Sequence, residues 1–192
     1  MRRTNVQATH QRGFTLMEVL IALVIFSIGL LGIATLQMTG MKQTHNSHLR
    51  AVAVAQAQAM ADRMRANMNA VNDGDYNVGA PGAPWGAMPD DTDIATACDA
   101  NECTSAEMAV YDLAQWNDPS EFFAGMGLDD ALPGGVGMVC IDSTPNDGNS
   151  AAWACDYAGD VYAIKVQWTE RGLDENENDT ETKVFAMRVR PS

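Results

Sequence analysis

One carboxylate stands alone in the most apolar part of the chain. Residues 14–36 contain a single charged side chain, that of Glu18. A carboxylate at the edge of such a segment is costly to desolvate and usually has an oppositely charged partner. The chemistry predicted for Glu18 is therefore charge pairing, and no side-chain cation lies in the same segment.

Four cysteines offer either disulfides or a metal site. They are Cys98, Cys103, Cys140 and Cys155. Zinc sites usually combine closely spaced cysteine pairs or histidines, and only the first two of these cysteines have such a spacing. We therefore favour disulfides, and of the three possible connectivities we favour Cys98–Cys103 with Cys140–Cys155. The second bond would close a loop of about 15 residues.

No catalytic residue, cofactor or metal site is predicted. The histidines are His10, His45 and His48, so the chain beyond residue 48 has no histidine base and no Ser-His-Asp triad. His45 and His48 are three residues apart, but no third metal ligand accompanies them. The acidic segment 174–181 offers oxygen ligands for calcium without the EF-hand spacing, so a solvated loop is favoured. We expect a protein that is not an enzyme.

The net charge of −13 is unevenly distributed. Residues 1–13 and residues 37–72 each carry +3, whereas residues 73–192 contain 5 basic and 23 acidic side chains. A region with that excess of acid repels phosphate backbones, so we expect no nucleic-acid partner for it. The hydrophobic content of 46% is typical of a folded domain.

Residues 14–36 predict a membrane-spanning helix. They would form roughly 35 Å of helix at about 1.5 Å per residue, which is enough to cross a bilayer. Arginines precede the segment, so the positive-inside rule predicts a single-pass membrane protein with a cytoplasmic N-terminus and a body outside the cytoplasm. A secretory signal peptide is disfavoured because its apolar core would be shorter and a small-residue cleavage site would follow.

Residues 37–72 continue the helical pattern without a proline. Apolar side chains recur there at spacings of three and four, which places them on one helix face. They are Leu49, Val52, Ala53, Ala57, Met60, Met64 and Met68. This amphipathic pattern predicts that the second half of a long helix packs on a domain formed by the rest of the chain.

The sequence of residues 73–192, the body of the protein, predicts a series of helices and strands. Residues 73–97 read as a loop, Thr104-Ser105-Ala106-Glu107 as the capped start of a helix, and residues 119–126 as a turn or short helix. Strands are predicted at residues 136–141, 161–169 and 183–190. The fold class is α+β, with a long N-terminal helix, transmembrane in its first half, packed on a C-terminal antiparallel sheet.

The start of the apolar segment carries a specific motif. Arg12-Gly13-Phe14-Thr15-Leu16-Met17-Glu18 ends a basic leader at a glycine and places a glutamate four residues after the phenylalanine. This resembles the class III signal of type IV prepilins. The resemblance implies the type IV pilin fold, cleavage by a prepilin peptidase between Gly13 and Phe14, and N-methylation of Phe14. It also implies that Glu18 pairs with the N-terminal amine of a neighbouring subunit in a fibre.

These patterns divide the chain into four parts. Residues 1–13 form the cleaved basic leader, residues 14–36 the transmembrane and assembly helix, residues 37–72 its amphipathic continuation, and residues 73–192 the periplasmic globular domain. Removal of the leader would take three arginines from the chain.

Further motifs resemble the PilV family of minor pilins. They lie at residues 27–37, 111–116, 132–137 and 164–168. The resemblance implies a low-abundance subunit that primes pilus assembly near the fibre tip and supports twitching motility and adhesion. The implied partners are other minor pilins, the major pilin, the inner-membrane assembly machinery and a tip adhesin. The implied location is the inner membrane and then the pilus fibre at the cell surface.

Two alternatives remain open. An I-type minor pseudopilin of the type II secretion system has a similar N-terminal helix, but its body usually lacks the aspartate–tryptophan helix and the Leu-Pro-Gly-Gly segment present here at residues 111–116 and 132–135. A signal-anchored periplasmic enzyme or binding domain is the second alternative. The absence of histidine from the body counts against an enzyme.

Overall fold

The computed structural model describes residues 13–79, 87–90, 93–94, 97–117, 127–149, 151–172 and 180–191. The chain divides into two compact units, residues 1–42 and residues 43–192. Helix α1, Leu16–Ala66, contributes to both. Residues 80–86, 91–92 and 95–96 of the loop predicted at residues 73–97 lie outside the described residues, as do residues 119–126.

The predicted helix over residues 37–72 contains a break. Helix α1 ends at Ala66, and a short helix α2, Met68–Asp73, follows after Asn67. Asn67 has φ −120° and ψ 57°, outside the helical region, and its side-chain amide donates to the Ser105 carbonyl over 2.8 Å. This bond ties the break between the two helices to the start of the segment that follows Thr104. The helix therefore does not run unbroken to residue 72.

Helix α3, Ser105–Asn117, begins at the predicted capping box. The backbone N–H of Thr104 donates to the Glu107 carboxylate over 2.8 Å, and the N–H of Glu107 lies 3.3 Å from the Thr104 hydroxyl oxygen that accepts from it. A short helix α4, Leu128–Ala131, follows. Residues 132–135 then form a turn, closed by a bond of 2.9 Å from the Gly135 N–H to the Leu132 carbonyl.

Three strands form an antiparallel sheet in the order β1-β2-β3. They are β1 Val136–Ile141, β2 Tyr162–Arg171 and β3 Thr180–Val189. The register is uninterrupted, with Met138 opposite Lys165 and Lys165 opposite Ala186. A long helix followed by an antiparallel meander confirms the predicted α+β class, and β3 begins three residues earlier than expected.

One cluster of buried apolar side chains joins the second part of α1 to one face of the sheet. It includes Leu49, Ala53, Ala57, Met60 and Met64 of α1 and Tyr162, Ile164, Val166 and Trp168 of β2. Trp116 of α3 completes it and donates its indole N–H to the Gln56 carbonyl over 3.0 Å. A Cβ at Gly137 would lie 2.4 Å from the Trp116 ring, so β1 needs a glycine there.

The opposite face of the sheet is also covered. Cys140 of β1 and Lys165 of β2 lie on this face, because each is offset by one residue from the side chains that enter the core. Both are fully buried. The segment at residues 142–160 supplies the cover, since it contains the groups that contact the Lys165 ammonium.

Candidate functional site

A capping interaction holds Glu18 in the first turn of α1. Thr15 immediately precedes the helix, and the N–H of Glu18 donates to the Thr15 carbonyl over 3.1 Å. The same N–H lies 3.3 Å from the Thr15 hydroxyl oxygen. A threonine three residues before a glutamate is the pattern that starts helices, and the exposed N–H groups of a first turn favour a carboxylate. The local sequence therefore fixes Glu18 about one turn from Phe14.

Phe14 and Glu18 border an open, apolar groove of about 570 Å³. It is lined by Phe14, Glu18, Val19, Ala22, Leu23 and Phe26. The Glu18 carboxylate is the one ionisable side chain among these lining residues. The geometry suits an apolar partner that brings one positive charge.

The apolar side chains that follow are uncovered within their unit. An 18-residue window of α1 has a mean hydropathy of 2.8 and is 0% buried. By length and composition this helix is able to cross a membrane. Its hydroxyl groups bond to backbone carbonyls one turn earlier, as Ser27 does to Leu23 over 2.7 Å. These hydroxyls therefore need no water, which suits an apolar environment.

Both disulfides join the pairs favoured from the sequence, Cys98–Cys103 and Cys140–Cys155. The second ties the covering segment at residues 142–160 to β1. It also accounts for the one group of possible metal ligands among the described residues, in which the ligand atoms of Cys140, Asp142 and Cys155 lie within 4.8 Å of one another. Two of those sulfurs are bonded to each other, so the group has no free thiolate to offer a metal.

The remaining candidate metal ligands do not converge. His45 and His48 are both exposed on α1. Within the described part of the chain, neither belongs to a group of three possible ligands. The acidic segment at residues 174–181, for which the sequence favours a solvated loop over a calcium site, lies almost entirely outside the described residues, which begin again at Thr180.

Lys165 is a buried residue that sequence reasoning did not single out. Its side chain is 0% exposed, and its ammonium lies 2.6 Å from Asp142 Oδ2 and 3.1 Å from Asp147 Oδ1. It also donates to the Trp153 carbonyl over 2.6 Å. A lysine on the polar side of an alternating strand normally predicts exposure to solvent. The disulfide-closed segment reverses that expectation by covering the residue with acceptors.

A second buried polar cluster links α1, the turn that follows α2, and α3. The Tyr76 hydroxyl donates to a carboxylate oxygen of Asp112 over 2.6 Å, and Arg63 donates to the Asp112 backbone carbonyl over 3.2 Å. Burial raises the pKa of the Asp112 carboxyl, although the Tyr76 hydrogen bond and the Arg63 charge oppose this rise. Burial also raises the pKa of Tyr76.

An ion pair connects α1 to β2. Arg50 donates through two nitrogens to both carboxylate oxygens of Glu170, over 2.9 and 3.0 Å. The Glu170 side chain is 2% exposed, and the Trp168 indole N–H also donates to it over 3.0 Å. Burial acts to raise the pKa of Glu170, but the hydrogen bonds from Arg50 and Trp168 outweigh it, and the net pKa is lowered. These contacts and the Lys165 and Asp112 clusters tie separate elements of the body together.

Two family models match adjacent parts of the chain. Residues 8–34 match the prokaryotic N-terminal methylation motif, and residues 35–114 match type IV pilin Tt1218. No curated protein and no solved structure matches the chain. The first match contains Gly13, Phe14 and Glu18, and the second runs through the rest of α1 and most of α3.

Proposed function

Since residues 8–114 carry the prepilin methylation motif followed directly by type IV pilin sequence, we propose that the protein is a minor type IV pilin that primes pilus assembly at or near the fibre tip. Its proposed partners are the major pilin, other minor pilins, the inner-membrane assembly machinery and a tip adhesin. Its proposed route is insertion into the inner membrane with the body in the periplasm, followed by entry into the fibre.

The observation that carries this proposal is the first turn of α1. A lone carboxylate is capped in place beside an apolar groove, at the start of a helix whose apolar side chains have no cover in their own unit. Cleavage after Gly13 would leave a positively charged amine on Phe14. Methylation would keep that charge. A neighbouring subunit would then supply the partner that Glu18 lacks within residues 14–36.

The body supports a structural role. Within the described residues, its buried ionic groups pair with one another or with backbone carbonyls and tie its elements together. The proposed function therefore assigns the chemistry to processing and assembly at Gly13, Phe14 and Glu18, and assigns no reaction to the body.

Deletion of the gene in its native host tests the function directly. We expect fewer surface pili and weaker twitching, with unchanged type II secretion, and recovery when the wild-type chain is supplied. Normal piliation with impaired secretion would assign the chain to the pseudopilin alternative instead. Unchanged piliation and unchanged secretion would reject both roles.

A further inference from the structure

The two edge strands of the sheet, β1 and β3, differ in whether their outward backbone groups have hydrogen-bond partners. The backbone groups of β1 that point away from β2 belong to alternate residues, and at least one group of each of these residues has a partner. The bonds are Gly137 N to Asn117 Oδ1 (2.8 Å), Val78 N to Val139 O (3.0 Å) and Ile141 N to Asn77 Oδ1 (2.8 Å). The β1 edge is therefore closed by the protein itself.

The same alternation identifies the groups that point out from β3. Because residues 137, 139 and 141 of β1 point outward, the backbone groups of residues 136, 138 and 140 bond to β2. Their partners on β2 are the odd-numbered residues 163, 165 and 167. The backbone groups of the even-numbered β2 residues from 162 to 168 therefore point towards β3. Their partners on β3 are residues 183, 185, 187 and 189. The outward N–H and C=O groups then belong to Thr182, Val184, Ala186 and Arg188, which we term the β3 edge.

The β3 edge has no backbone partner among the described residues. It belongs to a strand of ten residues with an unbroken register and no proline. Proteins usually protect such an edge with a bulge, a proline, charged side chains or a covering segment, because a free edge pairs with other strands. Here the protection found on β1 is missing from the described contacts of β3.

The charge of this region selects the kind of strand that pairs with it. Residues 73–192 contain only five basic side chains, and three of them are Lys183, Arg188 and Arg190. Lys183 pairs with Glu181, while Arg188 and Arg190 are exposed beside an open cleft of about 190 Å³ that reaches Gly159 and Asp160. An acidic strand is attracted to this edge, whereas a second copy would bring its own basic edge against it.

We propose that the β3 edge binds an extended, acid-bearing segment of a different pilus subunit by strand addition. The proposal rests on the proposed pilin function and names its partner surface. Backbone hydrogen bonds to residues 182–188 would supply the affinity, and carboxylates facing Arg188 and Arg190 would fix which segment binds. The β1 edge takes no part, because each of its outward residues already has a backbone group bonded within the protein.

Site-specific photo-crosslinking in living, piliated cells tests this surface. A photo-reactive residue at Val184 of the full-length chain should crosslink to another pilus subunit, within a peptide that contains aspartate or glutamate. The same residue at exposed Asp129 of α4 serves as the matched surface control and should not crosslink to that peptide. A product within the same chain or with a second copy would overturn the proposal.

Two variants separate edge binding from folding. Ala186→Pro removes an outward N–H and leaves the hydrogen bonds between β3 and β2 intact. The yield of the Val184 crosslink should then fall about tenfold, because one or two backbone hydrogen bonds to the partner are lost. Arg188→Glu should lower it through charge alone. Met187→Pro is the control that breaks the inner ladder and should unfold the body. Undiminished crosslinking in both Ala186→Pro and Arg188→Glu would refute strand addition.

A probe at Ala34 of α1 distinguishes failure of this inference from failure of the proposed function. Crosslinks from Ala34 to other pilins, with none from Val184, would reject the β3 edge while leaving the pilin role intact. Absence of pilin crosslinks from both positions would reject both proposals.

Discussion

The ammonium of Lys165 lies 2.6 Å from a carboxylate oxygen of Asp142, and both side chains are 0% exposed. Its other acceptors belong to Asp147 and Trp153. Every one of these partners lies between Cys140 and Cys155, the two ends of a disulfide. The acceptors of a buried cation on β2 thus all lie in the segment that this disulfide closes.

Loss of the Lys165 charge should destabilise the body severely. Lys165→Met leaves the Asp142 carboxylate buried without its cation, and we expect a loss of about 3–5 kcal/mol in the free energy of unfolding. Lys183→Met is the matched control, because that lysine forms a partly exposed pair and should cost at most about 1 kcal/mol. Denaturant titration of the full-length protein in detergent measures both. Equal effects would mean that burial of Lys165 is unimportant.

The two disulfides should contribute unequally. Cys140–Cys155 spans 15 residues and Cys98–Cys103 spans 5. In the chain-entropy model the stabilisation by a disulfide grows with the length of the loop it closes, and a loop of 15 residues gives about 3 kcal/mol. The serine double variant of the longer pair should therefore lose more stability than that of the shorter pair.

The longer disulfide should also be coupled to Lys165. Loss of the disulfide frees the segment that holds the Lys165 ammonium. The losses in free energy of unfolding caused by removing the disulfide and by Lys165→Met should therefore not be additive. A double-mutant cycle measures this coupling, which we expect to lie between about 0.5 and 3 kcal/mol. Strict additivity would show that the covering segment keeps its place without the disulfide.

Acid should weaken the body through Glu170. Its pKa in the folded state is lowered, so its stabilising effect is present above the unfolded value of about 4.3 and is lost as pH falls through the lower folded value. Asp112 has a raised pKa, so its ionisation opposes folding, and this cost falls as pH decreases. Between pH 7 and pH 3, the free energy of unfolding should decrease less in Glu170→Gln than in the wild type, and more in Asp112→Asn. The opposite order would contradict the assigned directions.

Processing should depend on Gly13. Gly13→Ala should leave the basic leader attached, because the proposed cleavage site lies between Gly13 and Phe14. Gly40→Ala is the control, since a Cβ added at either glycine would meet nothing within 4 Å and only Gly13 borders the cleavage site. Immunoblots from cells with and without prepilin peptidase should show the precursor in the Gly13 variant and the mature form in the control. Normal maturation of Gly13→Ala would disprove the assignment.

Assembly should depend on Glu18. Glu18→Ala removes the proposed partner of a neighbouring amine, so the chain should stay in the membrane while its amount in sheared pili falls at least about tenfold. Ser27→Ala is the matched control in the same helix, because its hydroxyl bonds only to the Leu23 carbonyl among the described contacts. Quantitative immunoblots of sheared fibres and membranes measure both, and equal incorporation would argue against charge pairing.

The sequence by itself determined the features that depend on local patterns. Helix α1, the capping box at Thr104 and the antiparallel strands follow from periodicity and capping chemistry, which act over a few residues. The spacing of the cysteines favoured the observed pairs but left three connectivities open. The candidate site at Gly13, Phe14 and Glu18 is also local, since a leader, a cap and an apolar run are read directly from consecutive residues.

Only the tertiary structure decided the features that depend on distant partners. Lys165 reads as an exposed strand residue until the segment from Cys140 to Cys155 folds over it, and Glu170 is buried because α1 brings Arg50 to β2. The break at Asn67 likewise depends on Ser105. Strand periodicity assigns a side chain to a face, but burial depends on what the rest of the chain places over that face.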